Sequence, residues 1–481
     1  MTRRQRLTLL TAILGSAVVT IDSSVINVAL PAIAHDLGGG LTAQQWVSNA
    51  YLLTLASLIL VGGSLGDIYG ERRVFAIGIA AFGVISVACA LAPTIGFLIA
   101  ARALQGVAGA LVTPSSLAII VAAFGAKERG GAIGSWTAWG SIAAIIGPLA
   151  GGAIVDRLSW RWIFAVNVPL VAGTLVLVLV AVAPTARDAR RRVDVVGALL
   201  CALGLGGVVF GLIEQPHYGW GSPLILVPLL GGVASFAAFL AYERRTPEPM
   251  LDLELFSHRN FAVGNLETLS MYAGLSILFF FLTIYLQQVA GYSALASGLT
   301  TLPVTVIMFA LSRRFGALAD RYGPRIFMGL GPVVAAAGIA LLARVGMHAS
   351  YLTDLLPALL IFALGLSLTV SPLTATVLAD ADDKDAGIAS AINNAVARMA
   401  GLIGVAVVGV VVAGTLVGGT FAPNDASVRA FHEAMLACAV LVAAGGVIGG
   451  LGIVNPRRTV EAASCAGGQL VGAPQPAVEA S

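Results

Sequence analysis

Two stretches of the sequence are near copies: GSLGDIYGER at residues 63–72 and GALADRYGPR at residues 316–325. Six of the ten positions are identical, and each copy follows an apolar run long enough to cross a bilayer. A duplicated loop on the same side of a membrane indicates two similar halves related by an axis along the membrane normal. The repeat therefore predicts a two-fold helical membrane protein.

The composition supports a membrane environment. Hydrophobic residues make up 58% of the 481 positions and charged residues only 11%, which is too little polar surface to cover a soluble globule of this size. The net charge of +3 comes from scattered basic residues, so we expect no nucleic-acid partner. The 4 cysteines and 5 histidines lack metal-ligand spacing, and we expect neither a metal nor a cofactor.

Fourteen apolar runs are long enough to be spanning helices, which need about 20 residues each. The first has the basic residues of a signal peptide before it, but it is too long and contains Asp22 and Asn27, so we expect it to be retained. The predicted spans are 7–31, 45–65, 74–92, 95–121, 131–155, 162–183, 195–213, 223–241, 261–285, 295–312, 326–346, 353–378, 387–415 and 431–454.

The basic residues predict the orientation of these spans. Of the 27 lysines and arginines, 21 fall in the termini and alternate loops on one side, and four fall in the opposite loops. Lysine and arginine accumulate on the cytoplasmic side of membrane proteins. Both termini are therefore predicted to be cytoplasmic, in a multi-pass protein of the inner (cytoplasmic) membrane.

The position of the repeat predicts how the spans are grouped. The first copy follows span 2 and the second follows span 10, so two halves of six helices require two extra helices between them. The predicted arrangement is 6+2+6. It divides the chain into an N-terminal bundle (1–183), a two-helix insertion (184–257), a C-terminal bundle (258–455) and a disordered cytoplasmic tail (456–481).

Four further motifs stand in order along the chain: IDSSVINVALP (21–31), RALQGVAG (102–109), GSIAAIIGPLAGG (140–152) and WRWIFAVNVP (160–169). Together with the duplicated loop and fourteen spans, they resemble the fourteen-helix drug:proton antiporter branch of the major facilitator superfamily. The resemblance covers residues 1 to about 455. It implies an all-α major facilitator fold and a proton-coupled multidrug efflux antiporter that exports small hydrophobic or cationic compounds, acting as a monomer by alternating access.

The resemblance also gives the motifs roles. The duplicated loop is expected to latch the two halves together in one state and release them in the other. Its switch residues are Gly63, Asp67, Gly70, Arg72, Gly316, Asp320, Gly323 and Arg325. Glycines in span 5 provide a small face for close helix approach, beside a proline that kinks the helix. By resemblance, this face is expected to seal the cytoplasmic side; its residues are Gly140, Gly147, Pro148, Gly151 and Gly152.

Four charged residues lie inside the spans, where each costs about 3 kcal/mol or more and normally marks a functional or paired site. Asp22 lies roughly 14 Å and Arg102 roughly 12 Å from the outer ends of their spans, at 1.5 Å per residue. Equal depth predicts that they are partners. Asp22 then either carries the coupled proton, tuned by Arg102, or forms a purely structural ion pair.

Glu267 and Arg398 are the other two proton-coupling candidates. Their predicted depths differ, so direct pairing is not expected. Glu267 either receives protons or cationic drugs, or extends to the interface. Arg398 matches an arginine that the branch commonly has in this helix and is open to a structural role.

Aromatic and amide side chains are candidates for substrate contact, because rings bind apolar and cationic ligands through area and the ring quadrupole. The alternative for each is packing or contact with lipid. The candidates are Asn27, Trp46, Tyr51, Trp136, Tyr272 and Tyr285.

Other functions fit less well. An importer or facilitator is disfavoured by the span 5 motif, and an exporter of an endogenous product, such as an antibiotic, siderophore or lipid, is indistinguishable by sequence. We expect no enzyme, because no catalytic cluster stands at interfacial depth, and no receptor, because the loops leave no room for a soluble domain.

Overall fold

The computed structural model describes residues 1–184, 193–247, 249–379 and 386–455. This part of the chain is built from helices and contains no strand. The α-helices are α1 (Arg3–Leu37), α2 (Leu41–Tyr69), α3 (Glu71–Ala90), α4 (Ile95–Ala123), α5 (Ala126–Arg157), α6 (Arg161–Ala165), α7 (Asn167–Ala181), α8 (Val195–Tyr218), α9 (Pro223–Glu243), α10 (Arg259–Gln288), α11 (Ala294–Thr300), α12 (Leu302–Tyr322), α13 (Pro324–Leu342), α14 (Leu356–Ala379), α15 (Ala386–Ala413) and α16 (Asp425–Gly452).

These helices form 14 segments that are long and apolar enough to cross a membrane, which confirms the predicted number. Two segments are interrupted: α6 and α7 form one span, and α11 and α12 form another. A single π-helical turn, Tyr351–Leu355, extends the span of α14. Several helices continue beyond the apolar run; α1 begins at Arg3 because Thr2 and Gln5 form a capping box there.

The packing repeats between the two halves. In the first half α1 contacts α5 and α7, α2 contacts α4, and α3 contacts α4 and α7. The second half reproduces each contact: α10 with α15 and α16, α12 with α14, and α13 with α14 and α16. Six spans in each half therefore pack in the same pattern, as the duplicated loop predicts.

The two remaining helices, α8 and α9, pack against one another outside these bundles. α8 also contacts α2 of the first half and α15 of the second. This agrees with a 6+2+6 arrangement, although the boundary at 184 adjoins residues outside the described part. The predicted tail, 456–481, lies outside the described residues.

The duplicated loop has the same backbone in both halves. Gly70 and Gly323 each have a φ of 92°, a left-handed conformation that favours glycine. Each glycine N–H donates to the carbonyl four residues back, Gly66 and Ala319 respectively, at 2.8 Å. The glycines thus turn the chain directly from one helix into the next.

The two halves meet at one end of the molecule. We call the end where α1 begins and α16 finishes the terminus side, and the opposite end the far side. The contacts between the halves that join α5 to α11, α1 to α10 and the start of α2 to the end of α15 all lie in the far-side half. Toward the terminus side, Gly130, Gly134 and Gly140 of α5 have nothing within 4 Å of the position that a methyl group would occupy. The recorded contacts between the halves are therefore concentrated on the far side.

Candidate proton site and far-side gate

A buried ion pair stands in the first half. Arg102 on α4 donates through Nη1 to Oδ2 of Asp22 on α1, and both side chains are 0% exposed. The pairing predicted from equal depth is present. Because two charges removed from water need mutual attraction and further hydrogen bonds to offset desolvation, the neighbours of this pair decide its chemistry.

Three polar side chains complete what we call the Asp22 cluster: Ser86, Gln105 and Asn167, with Asp22 and Arg102. The Gln105 and Asn167 amides donate to Oδ1 of Asp22 at 3.1 and 3.0 Å, and the Gln105 carbonyl accepts from Arg102 at 2.8 Å. The same two amides donate to the Ser86 hydroxyl at 2.9 and 3.4 Å. Sequence reasoning singled out neither amide nor the serine as a site residue, although Gln105 and Asn167 lie in the quoted motifs.

The Arg102 guanidinium is covered by two aromatic rings. Its Cζ lies 4.3 Å from the centre of the Tyr51 ring and 5.8 Å from that of Phe164. Its Nε donates to the Val47 carbonyl at 3.3 Å, while its Nη2 has no hydrogen-bond partner within the described residues. The cluster is thus sealed on its Arg102 side by apolar faces and holds one unused donor.

Glu267 lies in the second half, separate from this cluster. It is 0% exposed, so it does not extend to the interface. Its carboxylate faces Gly449 of α16 and the Met328 carbonyl of α13, and neither oxygen has a hydrogen-bond partner among the described residues. An unpaired ionised carboxylate is strongly disfavoured in such surroundings, so this group is expected to be neutral here.

Arg398 on α15 does not pair with Glu267. No salt bridge or hydrogen bond of its guanidinium is present in the part of the chain that the structure describes, and its Nε is buried. The structure therefore separates the four intramembrane charges into one pair and two single groups.

The glycine motif of α5 contacts two different helices, both on the far side. A methyl group at Gly147 would lie 2.0 Å from the hydroxyl of Ser24 on α1. A methyl group at Gly151 would lie 2.0 Å from the side chain of Val25, also on α1. At Gly152 it would lie 2.6 Å from Cα of Leu295 on α11. Helix α5 continues through Pro148, whose carbonyl would lie 2.7 Å from a methyl group at Gly298 of α11.

The expectation that this face seals the cytoplasmic side stays a prediction, because the structure shows which helices the face contacts but not on which side of the membrane they lie. In this state the contact lies on the far side, because residues 147–152 are in the last third of a helix that runs away from the terminus side. Gly140 takes no part, since nothing lies within 4 Å of its methyl position. A carboxylate strengthens the seal: Asp156 of α5 accepts the backbone N–H groups of Ala294 and Leu295 at 2.8 and 2.9 Å.

The candidate substrate residues do not form one site. Tyr51 is 0% exposed and donates to the Val19 carbonyl, and Tyr285 is equally buried and stacked on Phe431. The Trp46 indole N–H donates to Glu214 of α8 at 2.7 Å, so this ring attaches the insertion to α2.

Trp136 packs against the cluster of Ala12, Ile120, Phe124 and Ala132 at the terminus side. Burial of Tyr51 and Tyr285 is incompatible with substrate contact in this state. Asn27 and Tyr272, on α1 and α10, are partly exposed and remain candidates.

The two loop arginines act within their own halves. Arg72 donates to the Leu179 carbonyl at the end of α7, and Arg325 donates to the Gly450 carbonyl at the end of α16, at 3.0 and 2.6 Å. The equivalent residues of the repeat thus cap equivalent helix ends, where exposed carbonyls attract cations.

Comparison with known sequences agrees with this architecture. Residues 12–405 match the family model of the Major Facilitator Superfamily. The chain belongs to the Major Facilitator Superfamily. It is 37% identical over 401 residues to the puromycin resistance protein of Streptomyces alboniger, covering 81% of this chain and 78% of that protein. It is 34% identical over 408 residues to the multidrug resistance protein Stp of Mycobacterium tuberculosis, covering 85% and 76%.

The chain is also 34% identical over 408 residues to a probable actinorhodin transporter of Streptomyces coelicolor, and the match covers 82% of this chain and 70% of that protein. These relatives place the chain in the drug:proton antiporter branch of the superfamily. Solved structures of the same fold include a bacterial homologue of the human lysosomal transporter Spinster, in an inward-facing and unoccupied conformation. It superposes with a TM-score of 0.68 at 15% identity, over 94% of this chain and 97% of that one.

Proposed function

We propose that this major facilitator protein exports small, largely apolar compounds from a bacterial cytoplasm across the inner membrane in exchange for protons. The observation that carries the proposal is the Asp22 cluster, a fully buried carboxylate held by one guanidinium and two amides within a transporter fold. Relatives named for drug resistance or antibiotic export support the direction of transport. Transport, rather than enzymatic catalysis, is what the family performs.

The proposed cycle uses two states of the interior. In the state described here, Asp22 is paired with Arg102 and accepts the two amide N–H groups, and a compound enters the interior from the terminus side. Opening of the far side repacks α1 against α4 and weakens the ion pair, so Asp22 takes up an external proton. Return to the first state restores the donors and releases the proton to the cytoplasm.

The energies are sufficient for this exchange. One proton that crosses a potential of about 100 mV releases about 2.3 kcal/mol. A hundredfold solute gradient requires about 2.7 kcal/mol, since each tenfold step is about 1.4. One or two protons per cycle therefore drive substantial accumulation outside the cell.

The same proposal gives roles to the duplicated loops and to the contacts between the two halves. The terminus side is cytoplasmic because it holds most of the basic residues. The duplicated loops, including Asp67 and Asp320, connect the halves when the cytoplasmic side closes. The α5 glycines and Asp156 hold the halves together when the external side closes. A single chain encloses the whole pathway, which supports a monomeric transporter.

Glu267 enters this proposal as a second, neutral carboxyl group within the C-terminal bundle. Its carboxylate lies against Gly449, where α10 packs on α16. We assign it a protonation role only if α10 and α16 separate during the cycle, whereas Asp22 already contacts groups on two other helices, α4 and α7.

A second candidate is export of one endogenous antibiotic or similar product by the same mechanism. It is favoured by relatives whose names specify single compounds, including the tetracenomycin C resistance and export protein of Streptomyces glaucescens and the cephamycin export protein of Amycolatopsis lactamdurans. A broad susceptibility panel separates the two: a multidrug exporter protects against several classes, and a dedicated exporter against one.

The test of proton coupling compares Asp22→Asn with Asp36→Asn. Both aspartates lie on α1 and pair with an arginine, but the Asp36–Arg161 pair is partly exposed, with 46% of the Asp36 side chain accessible. Dye efflux from a pump-deficient host and substrate-dependent proton flux in proteoliposomes should both fail in Asp22→Asn and persist in Asp36→Asn. A folded Asp22→Asn protein that retains substrate-dependent proton flux would refute the proposal.

A further inference from the structure

Arg398 stands on the face of α15 that is turned toward the first half. Val405 and Gly409 of the same helix contact Gln45 of α2: the Gln45 amide donates to the Val405 carbonyl at 2.8 Å, and Gly409 packs against the Gln45 side chain. Arg398 precedes these positions by about 7 and 11 residues, which are whole numbers of turns at 3.6 residues per turn. It therefore points in the same direction, about 10 Å closer to the terminus side.

The level of Arg398 coincides with that of Tyr51 on α2. Tyr51 is about six residues, or 9 Å, beyond Gln45 in the same direction. Arg398 is thus a mid-membrane group of the second half that faces the first half.

No carboxylate neutralises Arg398 among the described residues. Asp22 is 0% exposed and held by Arg102, and Glu267 faces α13 and α16. The acidic residues before α15, at 380–385, lie outside the described residues. Arg398 is partly exposed as a residue, and its Nε is buried with no hydrogen-bond partner among the described residues.

An unpaired guanidinium in a membrane interior is costly and marks a place where an anionic partner is expected. Arginine binds carboxylates and other anionic oxygens through two parallel N–H groups. We propose that Arg398 binds the anionic oxygen group of the transported compound, so that the substrates are apolar organic anions rather than cations. This inference rests on the proposed export function and specifies its substrate class.

The same observations disfavour cationic substrates in the described state. A cation in the interior would meet the charge of Arg398 and find the Asp22 carboxylate closed by Arg102. Export of a monovalent anion against one entering proton also moves two charges across the membrane in the favourable direction. Transport of such a compound is therefore expected to depend on membrane potential as well as on the pH gradient.

The experiment uses two dyes with the same xanthene ring system and opposite charge: fluorescein, which carries a carboxylate, and rhodamine 6G, which is cationic. Binding to the purified full-length protein is measured by fluorescence polarisation, and proton-driven efflux by proteoliposome assay. The wild-type protein should bind fluorescein at least tenfold more tightly than rhodamine 6G. Arg398→Ala should remove that preference, and Arg398→Lys should restore part of it because the charge remains.

Arg429→Ala is the matched control, since Arg429 is an exposed arginine on α16 and should leave the preference unchanged. If Arg398→Ala does not fold, Arg398→Lys and Arg398→Gln provide the comparison, with the preference kept in the first and lost in the second.

Equal binding of the two dyes by the wild-type protein, or an anion preference that survives in folded Arg398→Gln, would overturn the inference. Loss of proton-driven flux in Arg398→Gln with an unchanged dye preference would also overturn it, and would assign Arg398 to the proton pathway. Failure of the export proposal itself looks different: no dye of either charge would move with protons in the wild-type protein.

Discussion

Gly70 and Gly323 have the same φ of 92° although they belong to opposite halves of the chain. Each ends one helix and begins the next, at the same position of the duplicated loop. The neighbouring residues differ, since Glu71 follows one and Pro324 the other. The conformation therefore belongs to the turn itself and requires glycine in both halves.

Replacing either glycine with alanine should destabilise the protein by about 1–3 kcal/mol, the usual cost of a strained backbone position. Gly323→Ala should cost more, because its methyl group would lie 2.3 to 2.5 Å from the Asn455 amide atoms. Thermal unfolding in detergent measures the change. Gly96→Ala, a helical position with nothing within 4 Å, is the control, and an equal loss there would contradict this explanation.

The far-side seal predicts that two glycines of the α5 motif respond differently to replacement by alanine. Gly152→Ala would place a methyl group 2.6 Å from the backbone of Leu295, which cannot move aside as a side chain can. We expect α5 and α11 to separate and the far side to open, with efflux reduced tenfold or more. Gly140→Ala should be tolerated because its methyl position is free. Distances between spin labels on the far-side ends of α5 and α11 report the opening, and unchanged distances in Gly152→Ala would refute the prediction.

Asp156 should also stabilise the far-side seal, because its carboxylate accepts two N–H groups at the start of α11. Asp156 is exposed, so water weakens these bonds, and we expect only a two- to tenfold shift toward the open far side in Asp156→Ala. The readout is the labelling rate of a cysteine placed in the far-side interface. Asp425→Ala, on the far side of the C-terminal bundle, is the control and should label at the parental rate.

The amides of Gln105 and Asn167 should be required for proton-coupled transport. Both donate to Oδ1 of Asp22 and hold it beside Arg102. A buried carboxylate oxygen that loses a donor is left less well satisfied, so substrate-dependent proton flux should fall about tenfold or more in Gln105→Leu and Asn167→Leu. Thr174→Val is the control, since Thr174 is buried on α7 but donates only to the Leu170 carbonyl of its own helix. Proton flux that is unchanged in both folded variants would contradict this role.

The sequence predicted the spans and the Asp22–Arg102 pair because both depend on position along a helix axis. Fourteen apolar runs give the number of spans, and counting from the helix ends places Asp22 and Arg102 at one depth. What counting does not provide is the direction in which a side chain points around the axis. Glu267 was open to two interpretations for this reason, and the structure turns it inward against Gly449.

The other differences between the sequence-based expectations and the structure also arise because position along a helix axis does not give the direction of a side chain. A small face on α5 predicts close helix approach but does not name the partner, and here the partners are α1 and α11 on the far side. Trp46 looked like a ligand-binding ring, but its indole N–H is taken by Glu214, from a helix whose position depends on the insertion. Ser86 carried no charge or motif, so only the assembled helices bring its hydroxyl to the amides of Gln105 and Asn167.

The contact of α8 with both α2 and α15 makes the two edges of the transporter unequal. On that edge the insertion stands between the interior and the acyl chains of the lipids. On the edge formed by α5 and α12, described residues such as Trp139 and Phe309 are left exposed, at 52% and 85%. The two edges therefore present different surfaces to the lipid: one is formed by helices of the repeated halves, and the other by two helices that have no counterpart in the two-fold repeat.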